Sequence, residues 1–231
     1  MSNEMPAIWV VIVAAGNSRR LRAGQPKQYL PLAGKTLIEH TIAAFDSIKL
    51  VTGINVVLAE DDEQWPQLDI NTEKFLRTTT GGDQRSISVF NGIDALDARE
   101  QDWVLVHDAA RPCVSEEDIM KLIKSVLEKN IGGILATPVV NTIKQSTDGK
   151  SIDDTLQRAT LYAALTPQMF RVGELMAALS RSDPTSTTDE SSAMEQQGYP
   201  SQLIMGSPDN IKITYKSDLK RAELILAERD D

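Results

Sequence analysis

Three polar clusters in this chain combine residue types that can handle phosphate. The first is Ala14-Ala15-Gly16-Asn17-Ser18-Arg19-Arg20, continuing to Lys27. Small residues at 14 to 16 let backbone N–H groups approach an anion, and the cations after them can neutralise it. Residues 5 to 38 contain no carboxylate, where the average acid content of the chain would place about five. The same window holds Arg19, Arg20, Arg22, Lys27 and Lys35. A solvated basic loop would explain the cations alone; a polyphosphate cradle explains the missing acids as well. The second cluster is Val106-His107-Asp108-Ala109-Ala110-Arg111-Pro112. A carboxylate there can hold Mg²⁺ against phosphate oxygens with water completing the octahedron. An arginine three residues on can reach a phosphate with two N–H groups. The third, Asp209-Asn210-Ile211-Lys212, taken alone fits an Asx turn before a strand. Gly81-Gly82-Asp83-Gln84-Arg85-Ser86 is either a plain turn or a backbone wall for a nucleobase, with Ser88 on the following helix reaching the ligand.

Several look-alikes drop out. Ala33-Gly34-Lys35-Thr36 mimics the end of a P-loop, but Tyr29 stands where the first glycine belongs and no strand leads directly in. After Gly16 the second glycine of a dinucleotide fingerprint is replaced by Ser18. His107 beside Asp108 is no hydrolase relay, because adjacent strand residues face opposite ways and no G-x-S-x-G elbow accompanies them. His107 reads as a packed strand residue and Cys113 as a small buried one.

The rest of the composition sets bounds. The chain has 231 residues, enough for one large domain or two small ones with a core that needs no staples. Its formal charge of −9 lacks the cationic face that a general nucleic-acid or membrane-surface binder needs. That charge is uneven: residues 5 to 38 carry +5, which leaves −14 for the remainder. A single cysteine excludes an intrachain disulfide and points to a reducing compartment. With His40 and His107 as the only histidines, a Cys/His zinc site has too few ligands. The apolar run from Ala7 to Ala15 is too short to span a bilayer, and cations follow it rather than precede it. It reads as a buried strand of a cytoplasmic protein.

These residues need elements to position them. Ile8 to Ala14 is a β-branched run covered on both faces. Leu37, Ile38, Ile42 and Phe45 recur at helical spacing, Ile54 to Ala59 reads as a strand, and Val89, Phe90, Ile93 and Leu96 mark a second helix. Trp103 to His107 is a strand. Ser115 and Asp118 open a further helix as a capping box, and Ile131 to Val139 is the next strand. Strands alternating with helices give an α/β fold, a mostly parallel twisted sheet with helices on both faces. Residues about 140–160 break the pattern around Asp148-Gly149, as a protruding β-arm inserted in one domain spanning 1–231. A last strand is expected from Ile211 to Tyr215, with a helix from Asp218. In such sheets ligands bind beyond the carboxyl ends of the strands, where the clusters fall.

The Ala14–Lys27 loop, Gly81–Asn91, Val106–Pro112, Leu165-Thr166-Pro167-Gln168 and the Asp209–Thr214 run together resemble the 2-C-methyl-D-erythritol 4-phosphate cytidylyltransferase family. The likeness covers nearly the whole chain in order. It implies a Rossmann-like nucleotidyltransferase domain that makes CDP-methylerythritol and pyrophosphate from CTP in the non-mevalonate isoprenoid pathway. It places Ala14, Ala15 and Gly16 against the nucleotide, Arg20 and Lys27 on the triphosphate, and Gly82, Asp83 and Ser88 around cytosine and ribose. Asp108 would help bind Mg²⁺. The family is a homodimer that exchanges its arm, so Arg111 and Thr142 would serve methylerythritol phosphate in the neighbouring site. Arg158, Thr166, Asp209 and Lys212 would complete that substrate's site, with Thr188 near it. Arg20, Lys27, Arg158 and Lys212 would act on the reacting phosphates. Two other functions compete with this one: a sugar-phosphate nucleotidyltransferase of the same architecture, and a nucleotide-binding protein without turnover.

Overall fold

A computed structural model of the chain describes residues 6–16 and 25–230. Its first strand, β1 (Ile8–Val13), is the expected β-branched run. Val10 and Ile12 enter one apolar cluster and Trp9 and Val11 the other, so both faces of the strand are covered. A hairpin follows, β2 (Pro31–Leu32) and β3 (Lys35–Thr36), turned by Ala33 and Gly34 at φ 43° and 81°. Positive φ at both central residues suits a two-residue hairpin. Thr36 then caps α1 (Leu37–Asp46) and its N–H donates to the Glu39 carboxylate at 2.7 Å. The P-loop look-alike is therefore a turn and a helix cap.

Next come β4 (Val51–Leu58), β5 (Phe75–Thr80), α2 (Arg85–Asp94), β6 (Trp103–Asp108), α3 (Glu116–Lys129) and β7 (Gly133–Pro138). The arm is a hairpin of β8 (Ile143–Gln145) and β9 (Asp154–Leu156). The chain closes with β10 (Tyr162–Arg171), α4 (Val172–Arg181), α5 (Glu190–Gln196), β11 (Gln202–Met205) and α6 (Lys216–Asp230).

Seven strands form one sheet in the order β11-β7-β10-β6-β1-β4-β5. Neighbours are parallel except at β10, which runs antiparallel to both β6 and β7. Helices α1 and α3 cover one face through Phe45, Ile119 and Leu122. Helices α2, α4 and α5 cover the other through Val89, Leu175 and Met194. A Cβ at Gly92 would lie 2.6 Å from Val57 Cγ2, so α2 rests directly on the sheet. Ser115 accepts from Asp118 N–H, but the Asp118 carboxylate takes Ser207 N–H at 2.8 Å, so only half of the expected capping box forms. No helix among the described residues is long and apolar enough to cross a membrane.

Besides the β2–β3 hairpin and the run from β10 to β11, which the sequence pattern did not mark, the sheet edges differ from the sequence expectation. Residues 211–215 form no strand: Ile213 N–H makes one bond to Ala110 O, and the Thr214 and Tyr215 N–H groups go to Asp218 Oδ2. The edge beside β7 is filled instead by β11. Strand β5, not anticipated, lies at the other edge, where a mostly exposed Phe-Leu-Arg-Thr-Thr-Thr run carries little apolar signal.

Phe45 is wholly buried and meets the His107 ring edge-on, 5.0 Å between centroids, locking α1 to β6. Phe45→Ala should cost about 3–5 kcal/mol, read from the urea midpoint at an unchanged m-value. A loss near zero would show that α1 is not anchored there.

Candidate active site

Parallel strands β1, β4 and β6 end at one side of the sheet, and a cavity of about 680 Å³ opens beyond them. Ala14, Ala15 and Gly16, following β1, form part of its wall. Gln28 Nε2 donates to Ala14 O at 2.8 Å and so ties the chain on the far side of the basic loop back to its start. Tyr29 Oη donates to Asp62 Oδ2 at 2.6 Å, which anchors the same stretch to the loop after β4. Burial, with the Asp62 carboxylate, raises the Tyr29 phenol well above its ordinary value.

Residues 81–85 make another wall. Gly82 N–H donates to Ser88 Oγ at 3.0 Å, and the Ser88 hydroxyl is within reach of Gly82 O and Gln84 O. Gly81 allows no side chain, because a Cβ there would lie 2.6 Å from that of Ala15. The stretch is therefore a held backbone wall, and Ser88 builds it from within.

Asp108 ends β6 at the centre of the charge. Arg85 Nε donates to Oδ1 at 3.1 Å, Lys212 Nζ lies 2.7 Å from Oδ2, and Arg111 Nε stands 3.7 Å from Oδ2. Burial alone would raise this carboxyl; Arg85 first, then Lys212 and Arg111, hold it far below the usual carboxylate range. Arg111 Nη1 donates to Asn210 O at 2.7 Å, while its buried Nε has no hydrogen-bond partner. Arg85 also grips Glu190, with Nη1 2.6 Å from Oε1. Glu190 is 1% exposed; burial raises its carboxyl and Arg85 opposes that shift.

Behind Asp108 the backbone is fastened as well. Asp108 N–H donates to Thr166 Oγ1 at 3.1 Å, and the Thr166 hydroxyl lies 3.0 Å from His107 Nδ1. His107 Nε2 faces Arg111 O at 3.1 Å. A carbonyl only accepts, so Nε2 carries the proton, and Nδ1 accepts from Thr166. His107 is the neutral packed residue expected, pressed down to about 4 by burial. Cys113 is likewise buried, its thiol pushed up to about 11.

The expected residues separate into groups. Ala14, Ala15, Gly16, Lys27, Gly82, Asp83, Ser88, Asp108 and Lys212 line the cavity together. Lys27 Nζ also reaches Ile213 O at 3.5 Å, so loop and crossing segment touch. Arg111 and Thr166 stand directly behind, on Asp108. Thr188 and Asp209 are exposed outside the cavity wall, and Asp209 lies 3.9 Å from Arg221. Thr142 and Arg158 are exposed on the arm, where Arg158 donates to Val140 O. Arg20, with Asn17, Ser18, Arg19 and Arg22, lies outside the described residues. Arg85 and Glu190 were missed. Arg85 follows the glycine turn at 81–82, but nothing in the order of residues shows that its partner lies 105 positions away.

The sequence profile of the 2-C-methyl-D-erythritol 4-phosphate cytidylyltransferase family matches residues 8–228. The chain belongs to this family. A relative of that name from Pseudomonas aeruginosa is 43% identical over 227 residues, covering 96% of this chain and 97% of the relative. One from Vibrio atlanticus is 42% identical over the full length of both. The Francisella tularensis cytidylyltransferase structure, 35% identical, superposes with a TM-score of 0.81 over 95% of this chain and 99% of that one. A crystal structure of a 4-diphosphocytidyl-2C-methyl-D-erythritol synthase, 32% identical, reaches 0.84 over 96% and 100%. The likeness to these solved structures therefore extends over nearly the whole chain.

The neutral His107 has a measurable consequence. Its folded value lies below the ordinary 6.5, so its contribution is complete above pH 6.5 and is lost as pH falls towards 4. Between pH 7.5 and pH 4 this amounts to about 3 kcal/mol. His107→Gln, which keeps a donor to Arg111 O, should lose that much less over the same interval in urea unfolding. An identical loss in both proteins would refute the assignment.

Proposed function

We propose that this cavity transfers a cytidylyl group from CTP to 2-C-methyl-D-erythritol 4-phosphate, releasing pyrophosphate, as a step towards isoprenoid precursors. The observation that carries this is the meeting of Lys27 and Lys212 in one cavity beside a glycine-lined backbone wall, with Lys212 held by Asp108. The single buried Cys113 fits a reducing, cytoplasmic setting.

The acceptor phosphate is already ionised at neutral pH, so the attack on the α-phosphorus of CTP requires no general base. A P–O bond forms to the acceptor oxygen, and the bond to the bridging oxygen breaks, its electron pair leaving with pyrophosphate. The obstacle is bringing two polyanions together and holding the charge that builds on the equatorial and bridging oxygens. Lys27 lies on the side of the basic loop and binds the departing phosphates, together with Arg20. Lys212, fixed by Asp108 Oδ2, is the cation available to the attacking phosphate, and Arg111, whose buried Nε faces Asp108 Oδ2 at 3.7 Å, adds positive charge behind it. Gly81, Gly82 and Ser88 hold the wall against which the base would lie.

Asp108 also suits a divalent cation. Its carboxylate is ionised, and Arg85 and Lys212 occupy two of roughly four lone-pair positions. Among the described residues there is no cluster of three metal-ligating side chains. One carboxylate completed by substrate phosphates and water is a normal Mg²⁺ arrangement. Bound there, the ion would neutralise phosphate charge.

The arm supports a homodimer. A two-stranded hairpin is marginal alone. Here Val140 is 76% and Ile152 66% exposed, while Thr142 and Arg158 lie away from this chain's own cavity. A second copy would cover these apolar residues and receive Thr142 and Arg158 at its acceptor site, where Arg158 would help orient the phosphate. Sedimentation equilibrium should give a dimer at micromolar concentration; a monomer with full activity would refute arm exchange.

Pyrophosphate release should require CTP, methylerythritol phosphate and Mg²⁺, each omitted in turn. A sugar phosphate turning over in place of methylerythritol phosphate would favour the alternative nucleotidyltransferase. Lys27→Ala and Lys212→Ala should each lower kcat by about 10²- to 10³-fold, by analogy with loss of an oxyanion donor. Near-wild-type turnover in either would remove that residue from the mechanism.

A further inference from the structure

Arg85 opens α2 and makes two ionic contacts with different parts of its guanidinium. The terminal fork faces Glu190, with Nη1 2.6 Å from Oε1 and Nη2 3.3 Å from Oε2. The remaining edge gives a single bond from Nε to Asp108 Oδ1 at 3.1 Å. Glu190 is itself held in place. It opens α5, whose start is pinned to β10 by Gln168: Nε2 donates to Asp189 Oδ2 and Oε1 accepts from Ser191 N–H, both at 2.9 Å. Ser86, beside Arg85, donates to Pro184 O at 3.3 Å, so the loop before α5 is fastened to α2 a second time.

The division of the guanidinium matters for Asp108. A fork-to-carboxylate pair is the strongest arrangement open to an arginine. If the Arg85 fork were not occupied, it would turn onto both oxygens of Asp108 and compete with Lys212 for Oδ2. Filled by Glu190, the fork is unavailable, and Oδ2 remains 2.7 Å from Lys212 Nζ. A lysine at 85 could not do this, since an ammonium is one compact charge without an edge and a fork.

We propose that Arg85 and Glu190 are positioning residues for cytidylyl transfer: Glu190 occupies the Arg85 fork, so that one Nε bond orients Asp108 and leaves its second oxygen to hold Lys212 over the cavity. This rests on the reaction assigned above. It adds a device spanning α2, α5 and β6 to that reaction, in which Arg85, itself part of the cavity wall, and Glu190 act through Asp108.

The competing explanation is structural: Arg85 would merely neutralise a buried glutamate. Three variants separate the two. Glu190→Gln keeps shape but presents one acceptor oxygen to the fork. Arg85→Gln/Glu190→Gln removes both charges and leaves neither buried unpaired. Arg85→Lys keeps the charge without the fork. Melting temperature, kcat and the KM for CTP are measured on each full-length protein with CTP, methylerythritol phosphate and Mg²⁺. Positioning predicts that kcat falls about 10- to 100-fold in Glu190→Gln and in the double variant, as for a small misplacement of a reacting group. KM for CTP should stay within about threefold, because the loss is in orientation rather than nucleotide binding. Arg85→Lys should not restore kcat. Wild-type kcat in the folded double variant, or in Glu190→Gln should the double variant fail to fold, overturns the proposal in favour of neutralisation. Failure of the wild type itself to release pyrophosphate would instead overturn the assigned reaction, and the two failures cannot be confused.

Discussion

The structure of the site depends on one buried carboxylate. Asp108 sits at the end of a central strand, 7% exposed, where an unpaired charge could not remain. It is kept ionised by cations from three places: the start of α2, the turn after β6, and the segment that crosses to α6. Removing one member of such a cluster leaves an uncompensated charge, which costs about 3–5 kcal/mol at buried sites. The elements that carry these cations are therefore bound to the end of β6 as firmly as by apolar packing. The path of residues 209–214 follows from this. They pass over the strand ends, where Lys212 can meet Asp108 and Ile213 N–H can meet Ala110 O, and they leave the sheet edge to β11.

The same economy of donors shapes the rest of the cavity. Ser88, Thr166 and Gln28 spend their hydrogen bonds on backbone groups or a neighbouring side chain within the wall. Such residues hold N–H groups and charges in place before a ligand arrives, which is how a site stabilises developing negative charge without reorganising. Gln28 has a further effect. By donating to Ala14 O, it fastens the turn at Lys27–Tyr29 to the chain just after β1.

The net charge of −9 says nothing of how charges are grouped around Asp108. Lys212 comes from near the end of the chain, and Arg85 and Arg111 from its middle, to surround one aspartate, with Lys27 elsewhere on the same cavity wall. At that point three cations face the two carboxylates of Asp108 and Glu190, a local balance that an average over the chain conceals, while Glu60, Asp61 and Asp83 lie elsewhere on the wall.

Much of this was legible in the residues. The β-branched run at Ile8, the helical stripe of Leu37, Ile42 and Phe45, and the Asp148-Gly149 arm were all readable, because burial and turn chemistry leave local periodic marks. The small residues at 14–16 and the glycines at 81–82 marked two stretches of backbone that line the cavity. Strand β5 and the non-strand at 211–215 were illegible for a shared reason: edge pairing is decided by which segment reaches an open ladder, and the polar run at 75–80 and the apolar one at 211–215 signal the opposite outcomes. The sequence by itself determined the alternating α/β order, the phosphate-handling residue types and their family pattern. Only the tertiary structure decided that Arg85 and Glu190, far apart in the chain, meet beside Asp108, because ion pairing at a strand end depends on proximity in space and on exclusion of water, and neither is encoded in any local window of residues.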